Sequence, residues 1–297
     1  MAESAVTFSD KIQTVRQVRL TAAQTCLLSL QNVFKMQKKV SEYKFANIWH
    51  NMLEKSGKVH GYWYQPPPTG TAALFSGSHN PDRANYANLR EKEYWPKKDV
   101  YLDKEGSGYL FSSPYFFLED TPLIGDFGFS FYLGKDVRIK DHFRRCSEIL
   151  KQLTDKIRPG ISFKNLYIQS TELMKTGGYY NYIVSTTDKS NTNIGHTLPF
   201  LDMDPSEDKM RKITTGEEEK INSVISKSRE FINADCGIVV SDNCGLTFEP
   251  RFISENEPKL PMFSMHTIIL FEDGQKEVLV NLDGIFNFLG IDYLSEL

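Results

Sequence analysis

Asn193-Ile194-Gly195-His196-Thr197-Leu198-Pro199 is the stretch around which this chain is organised. Upstream of it lies Ile157-Arg158-Pro159-Gly160-Ile161-Ser162, which opens a helix, and downstream lies Leu246-Thr247-Phe248-Glu249-Pro250. A histidine ahead of a Leu-Pro pair says little by itself. With both flanks in this order, and with Gly195 before it and Pro199 after it, His196 reads as a side chain presented by a shaped loop of an enzyme-like fold.

Hydrophobic periodicity sets the elements on either side. A long helix is predicted over 10–37, where Ile12, Val15, Val18, Ala22, Cys26, Leu30 and Val33 recur at helical spacing after Ser9-Asp10. A second helix runs over 41–55, N-capped by Ser41 and stopped by Gly57. A strand over 59–64 meets the triple proline 66–68, whose fixed φ imposes an extended path. The polar turn 76–82 carries His79. Residues 83–122 read as an insertion with short strands near 109–111 and 115–118, the kind of segment that serves as a lid or specificity element. Further strands are predicted over 123–132, which holds Asp126, and near 136–138. Helices follow over 143–157 and 163–176, the latter capped by Ser162 and ended by Gly177-Gly178. A strand over 179–185 leads to the His196 loop, and an acidic loop over 202–220 to a helix at 217–229. The last third is strand-rich, at 237–241, 246–253, 266–271 and 277–281.

The helix pair at 10–57 matches the pair at 143–178. Cys26 aligns with Cys146 and Leu30 with Leu150, then, after a one-residue slip, Ser41 with Ser162, Leu53 with Met174 and Gly57 with Gly178. Each pair runs into a Tyr-rich strand, 61–64 or 179–182. Two helix-helix-strand units imply an α+β domain with pseudo-twofold symmetry, its helices packed on one face of a shared sheet.

At 297 residues the chain is long enough for one large domain with a substantial core. A net charge of −3 excludes a strongly basic nucleic-acid binder or a binder of anionic membranes, and no apolar run reaches the length of a membrane span. Cys26, Cys146, Cys236 and Cys244 form no CxxC pair, so reduced thiols are expected. The residues Met1-Ala2-Glu3-Ser4 lack a basic-then-apolar leader pattern. Together these make a cytoplasmic location the expectation. There is no GxGxxG after a strand, P-loop, GxSxG or HExxH.

Five segments, in order, resemble the pita-bread family of methionine aminopeptidase, Xaa-Pro dipeptidase, aminopeptidase P and creatinase. Residues 157–162 are similar to its "ikPGvt" helix junction. Ile124-Gly125-Asp126-Phe127-Gly128, with Tyr132 and Asp136, resembles "vDlG…GY.sD". His196-Thr197-Leu198-Pro199 resembles "HE.P", Thr247-Phe248-Glu249-Pro250 resembles "TiEP", and residues 267–274 resemble the closing "tvlVtedG". The resemblance spans about 10–290 and implies one pita-bread domain over 1–297, a pseudo-twofold α+β fold around a curved, mixed, mostly antiparallel sheet, with the insertion at 83–122.

The family's two-metal centre uses two Asp, one His and two Glu, which hold a shared hydroxide and polarise the scissile carbonyl. The resemblance carries Asp126, Asp136 and Glu249 onto three of those ligands, while Lys189 and Met265 fall where a histidine and the last glutamate are expected. A divalent ion (Mn, Co, Zn or Fe) and a metal-free, creatinase-like site both follow from this pattern. The expected activity is hydrolysis of a C–N bond in a small amide, dipeptide or amidine-like substrate. His196 and His79 would transfer protons, and Asp126, Glu249 and Tyr180 would bind substrate. The alternative is a non-catalytic peptide- or protein-binding module that has lost the metal site. The Glu249–Arg251 pair on one strand face has a purely structural reading as well. Expected partners are a small molecule or short peptide, with no nucleic acid and no membrane; a homodimer is left open.

Overall fold

The computed structural model describes residues 6–36, 39–65, 67–183 and 187–294. Two antiparallel helix pairs frame it. Helix α1 (Phe8–Lys35) begins at a capping box in which the Thr7 hydroxyl accepts from the Asp10 amide and the Asp10 side chain returns to the Thr7 amide. Helix α2 (Glu42–Lys55) is capped by Ser41, whose hydroxyl accepts from the Lys44 amide. Strands β1 (Gly61–Tyr62), β2 (Thr71–Ser76), β3 (Ser107–Ser112), β4 (Pro114–Leu118), β5 (Thr121–Ile124) and β6 (Phe127–Tyr132) follow. Then come helices α3 (Val137–Lys156) and α4 (Phe163–Thr176) with strands β7 (Tyr179–Asn181) and β8 (Gly195–Thr197). Helices α5 (Glu207–Thr214) and α6 (Glu218–Lys227) precede β9 (Cys244–Phe248), β10 (Arg251–Ser254), β11 (Phe263–Ser264), β12 (Thr267–Glu272) and β13 (Gln275–Leu279). Helix α7 (Asp283–Leu289) packs back on α1.

The repeat seen in the sequence is present in the packing. Ser41 and Ser162 cap α2 and α4 in the same way, each accepting from the amide three residues on. Cys26, Cys146, Leu53 and Met174 are all fully buried, and Gly57 and Gly178 both take positive φ, 64° and 83°. Between the helix pairs an aromatic row fills the core: Trp49 meets Phe127 edge-on at 5.8 Å, and Phe127 meets Phe129 at 5.7 Å. Burying each such ring stabilises the fold by roughly 1.5–3 kcal/mol.

Every strand pairing is antiparallel, and the ladders are interrupted into four short sheets, β1-β4-β5, β2-β3-β6, β11-β10-β7 and β13-β12-β9-β8. Four short strand-to-strand passages cross from one sheet to another among the described residues: β3 to β4 at Ser113, β5 to β6 at Gly125-Asp126, β9 to β10 at Glu249-Pro250, and β11 to β12 at Met265-His266. The single strands expected over 123–132 and 246–253 are therefore each two strands in different sheets.

Other expectations shift with capping and burial. The residues near 136–138 are not a strand. Asp136 N-caps α3, its carboxylate accepting from the Arg138 amide and guanidinium. Within the acidic loop a short helix, α5, forms and buries Ile213. Residues 237–241 form no strand beyond an isolated bridge of Val239 to Ser162. The strand expected over 179–185 is observed for Tyr179–Asn181, and residues 184–186 lie outside the described residues. In the segment read as an insertion, 107–118 supplies β3 and β4 to two sheets, whereas 77–106 is loop with one 3-10 turn at Lys92–Tyr94.

That loop is latched to the core by one ion pair. Glu42, with no exposed surface, accepts from Arg83 Nε at 3.0 Å and Nη2 at 2.9 Å, and from the amides of Phe75 and Lys97. Arg83 in turn donates to the carbonyls of Glu93 and Trp95. Removing one member strands a buried charge. Glu42→Ala is expected to lower stability by about 3–5 kcal/mol, read as a lower urea midpoint, and to raise protease sensitivity first within 83–106.

Candidate functional site

Polar side chains from three of these crossings, those at Gly125-Asp126, Glu249-Pro250 and Met265-His266 in turn, and from β8 converge at the centre. Asp126 comes from the first crossing, Glu249 from the second, His266 from the third, and His196 from β8. Arg19 of α1 holds the crossings together from behind. Its guanidinium donates to the carbonyl of Asp126, to that of His266 at 2.7 Å and to that of Val280 at 2.8 Å. Burial pulls the Arg19 pKa down to about 9 against the support of Asp126, so it stays a cation at neutral pH. Glycine gives the close approaches. A Cβ on Gly195 would lie 2.2 Å from the Thr247 carbonyl oxygen, and one on Gly128 would lie 2.9 Å from the His266 ring.

His196 donates from Nδ1 to the Thr197 carbonyl at 2.9 Å, which leaves Nε2 as the lone-pair nitrogen. That nitrogen faces Asp126 Oδ2 at 3.5 Å and Glu249 Oε1 at 3.8 Å. Burial, then Arg229, depresses the His196 pKa well below the usual histidine range, so the ring is neutral. Asp126 is 1% exposed; Trp63 Nε1 donates to its Oδ1 at 2.6 Å and the Thr247 hydroxyl reaches its Oδ2 at 3.4 Å. Burial and the neighbouring Glu249 carboxylate push the Asp126 pKa up to about 7. A proton on Asp126 answers the crowding of acceptors around His196 Nε2.

The other half of the cluster centres on Glu249. Its Oε2 lies 3.0 Å from His266 Nε2 and 3.8 Å from Arg251 Nη2. Tyr109 OH is 2.9 Å from the same His266 nitrogen, while His266 Nδ1 has no partner among the described residues. Arg251 donates from Nε to Tyr86 OH at 3.0 Å. Arg229 stacks on Trp63 at 4.3 Å and Phe231 at 5.0 Å, and Asp126 and Glu249 support its charge against burial. Around these groups is a cavity of about 40 Å³, closed on one side by Tyr86 and Leu89 of the 77–106 loop.

Of the residues singled out in the sequence, the fold brings His196, Asp126 and Glu249 together. His79 sits on an exposed turn lining a separate cleft of about 790 Å³ beside the end of α1. Tyr180 is 44% exposed on β7, and Asp136 is engaged at the α3 cap. Lys189 is exposed in an outer cleft, and Met265 is buried in the core, bridging to Phe129. The side chain that reaches the site beside Met265 is His266. Arg19, Arg229, Tyr86 and Tyr109 gave no sequence signal, since each lies far along the chain from the motifs. Trp63, in the Tyr-rich strand 61–64, reads from sequence as a core aromatic first and as pocket wall second.

The two-ion centre implied by the resemblance does not fit these residues. It needs five ligands, and here the second aspartate caps a helix while a methionine occupies the last position. Arg229 and Arg251 already supply positive charge beside the two carboxylates. Among the described residues no group of three or more His, Cys, Asp or Glu has the geometry to hold a metal ion.

No family model and no curated protein matches the chain by sequence. Solved structures do match it in shape. The X-Pro aminopeptidase from Thermotoga maritima MSB8 superposes with a TM-score of 0.62 at 12% identity over 92% of this chain and 61% of that one. The prolidase from Pyrococcus horikoshii OT3 gives 0.59 at 12% identity, over 89% of this chain and 60% of that one. Methionine aminopeptidase from Thermotoga maritima gives 0.57 at 11% identity, over 90% of this chain and 96% of that one. The chain thus has the pita-bread fold shared by these peptidases, as a divergent example, and it spans about three-fifths of the first two structures. No helix among the described residues is long and apolar enough to cross a membrane.

The raised Asp126 pKa fixes the sign of one pH effect. Between the unfolded value of 3.8 and about 7 the native carboxyl keeps its proton while the unfolded one has lost it. The native state then binds more protons, and stability falls as pH rises through that window. Asp126→Asn removes this slope. Urea denaturation is expected to show the parent losing stability relative to the variant between about pH 4 and pH 7; a constant difference would contradict the raised pKa.

Proposed function

We propose that this chain is a non-catalytic peptide- or protein-binding module built on the peptidase fold. The observation that carries this reading is the size of the inner cavity. About 40 Å³ has room for a few waters at most, since one needs roughly 10–15 Å³ of such space, whereas ligand pockets run to about 300–1,000 Å³. A dipeptide cannot reach His196 unless Tyr86 and Leu89 leave. The cluster carries no excess negative charge: Arg229 and Arg251 face Glu249 and Asp126, and burial raises the pKa of Asp126, so neither a metal nor a cationic substrate is needed to balance it. We read the 77–106 loop as a plug over the peptidase cleft, latched by Glu42 and Arg83. The free thiols of Cys26, Cys146, Cys236 and Cys244 support a reducing, cytoplasmic setting.

One observation favours a metal-free hydrolase as the second reading. A neutral histidine nitrogen between two carboxyls of raised pKa is a competent proton shuttle. In that case His196 and Asp126 would protonate the leaving nitrogen of an amide or amidine admitted by opening of the plug.

Elemental analysis and an assay separate the two. Purified protein is expected to carry less than stoichiometric Mn, Co, Zn or Fe. It is expected to leave Xaa-Pro dipeptides, methionyl peptides and simple amidines intact, with or without added metal. Turnover abolished by His196→Ala would establish the hydrolase instead, and a bound stoichiometric metal would sink the argument from charge balance.

A further inference from the structure

Outside the plugged cavity lies an open cleft of about 1250 Å³. Trp63 and Arg229 line both spaces and form the partition between them. The cleft is large enough for a short peptide, and its contents define what it can hold.

Its floor is cationic and aromatic. Arg229 is 8% exposed, stacked on Trp63 and Phe231. Arg90 is half-buried over the Tyr64 ring at 4.6 Å. Lys189 and Lys227 stand at the edge. None of these four cations makes an ion pair among the described residues. Arg229 is supported from the inner side by Asp126 and Glu249, whereas Arg90, Lys189 and Lys227 face the cleft's own carboxylates without pairing with them. Asp188 is spent on Ser190, Thr192, Asn193 and Asn233, and Glu219 and Glu230 are exposed.

Two polar atoms in the same wall are also unspent. Trp95 Nε1, a donor, and Asn222 Oδ1, an acceptor, are shielded from solvent without a hydrogen-bond partner among the described residues. Leaving a buried polar group unpaired is unfavourable. A peptide main chain carries one carbonyl and one N–H at each residue, the partner types that an unpaired indole donor and an unpaired amide acceptor each lack. Trp95 is fixed from behind, since its carbonyl accepts from Arg83 at 2.9 Å.

We infer that this cleft binds a short acidic peptide segment. The main chain pairs with Trp95 Nε1 and Asn222 Oδ1, and a Glu or Asp carboxylate is received by Arg229 and Arg90. The inference rests on the binding-module reading and gives it a ligand class.

The test uses the full chain and three fluorescein-labelled peptides, acetyl-Gly-Glu-Phe-Glu-Gly-amide and the same sequence with both Glu replaced by Gln or by Lys, followed by fluorescence anisotropy. The glutamate peptide is expected to bind roughly tenfold tighter than the glutamine one, with the lysine one weakest, and the advantage is expected to shrink between about 0.05 and 0.5 M salt. Arg90→Gln and Lys189→Gln, both near the surface, should each weaken the glutamate peptide roughly three- to tenfold while leaving the glutamine peptide unchanged. Trp95→Phe should weaken both peptides alike, with an unchanged far-ultraviolet spectrum. Equal affinity for the Glu and Gln peptides would overturn the acidic preference and leave a peptide-binding module standing. Binding indifferent to all three variants would place the site elsewhere and overturn the cleft. No binding of any of the three up to about 1 mM, a free energy near −4 kcal/mol, would remove the binding-module reading itself.

Discussion

One guanidinium underlies the centre of this molecule. Arg19, on the third turn of a helix that spans the domain, donates to three backbone carbonyls contributed by three separate stretches of chain, at Asp126, His266 and Val280. Two of them are at points where the polypeptide leaves one sheet for another, so their carbonyls have no ladder partner of their own. A buried arginine is costly unless its donors are filled. Here the cost is offset because the same donors satisfy carbonyls that the sheet crossings would otherwise orphan. The side chains attached to two of those crossings, Asp126 and His266, consequently enter the cavity at fixed angles.

Charge balance then dictates what the cavity can be. Two carboxylates held within a few ångströms of one another in a closed space require positive charge or protons. The peptidase fold implies metal ions for that task. This chain supplies guanidinium groups, Arg229 and Arg251, and a proton on Asp126, whose pKa of about 7 reflects burial and the Glu249 charge. The two solutions exclude one another, since a dication placed among these side chains would face two fixed cations at short range.

Much of the fold was legible because it rests on local signals. The capping serines Ser41 and Ser162, the positive-φ glycines Gly57 and Gly178, and the paired apolar faces of the helices encode the repeat within short windows. The site was legible only where a polar residue interrupted an apolar run, as at Asp126 and Glu249. There the sequence read as one continuous strand, because both flanks are apolar and periodicity cannot reveal that they pair with different sheets. The crossings that broke the strand reading are the places where the site residues stand. Asp136 misled for the opposite reason: its spacing from Asp126 matched a motif, but an aspartate before Val137-Arg138 also serves as a helix N-cap, and capping prevailed. His266, beside Met265 at the expected ligand position, reads from sequence as a sheet histidine rather than a ligand, and only the structure shows that the one-residue step puts its side chain on the site face. Arg229 carries no motif at all and is recognisable only in three dimensions.

The partition between cavity and cleft ties these features into one argument. Trp63 bonds Asp126 on its inner side and stacks under Arg229, which faces the outer cleft. The charge of Arg229 is maintained against burial by Asp126 and Glu249, neither of which is in the cleft. On the proposed binding reading, an anion received in the cleft would share this guanidinium with the inner carboxylates. The acidic cluster has one effect that the geometry itself carries: Asp126 and Glu249 support the charge of a buried arginine that lines an open cleft. On this view the retained peptidase architecture and the closed centre are compatible, because the centre serves the surface beside it.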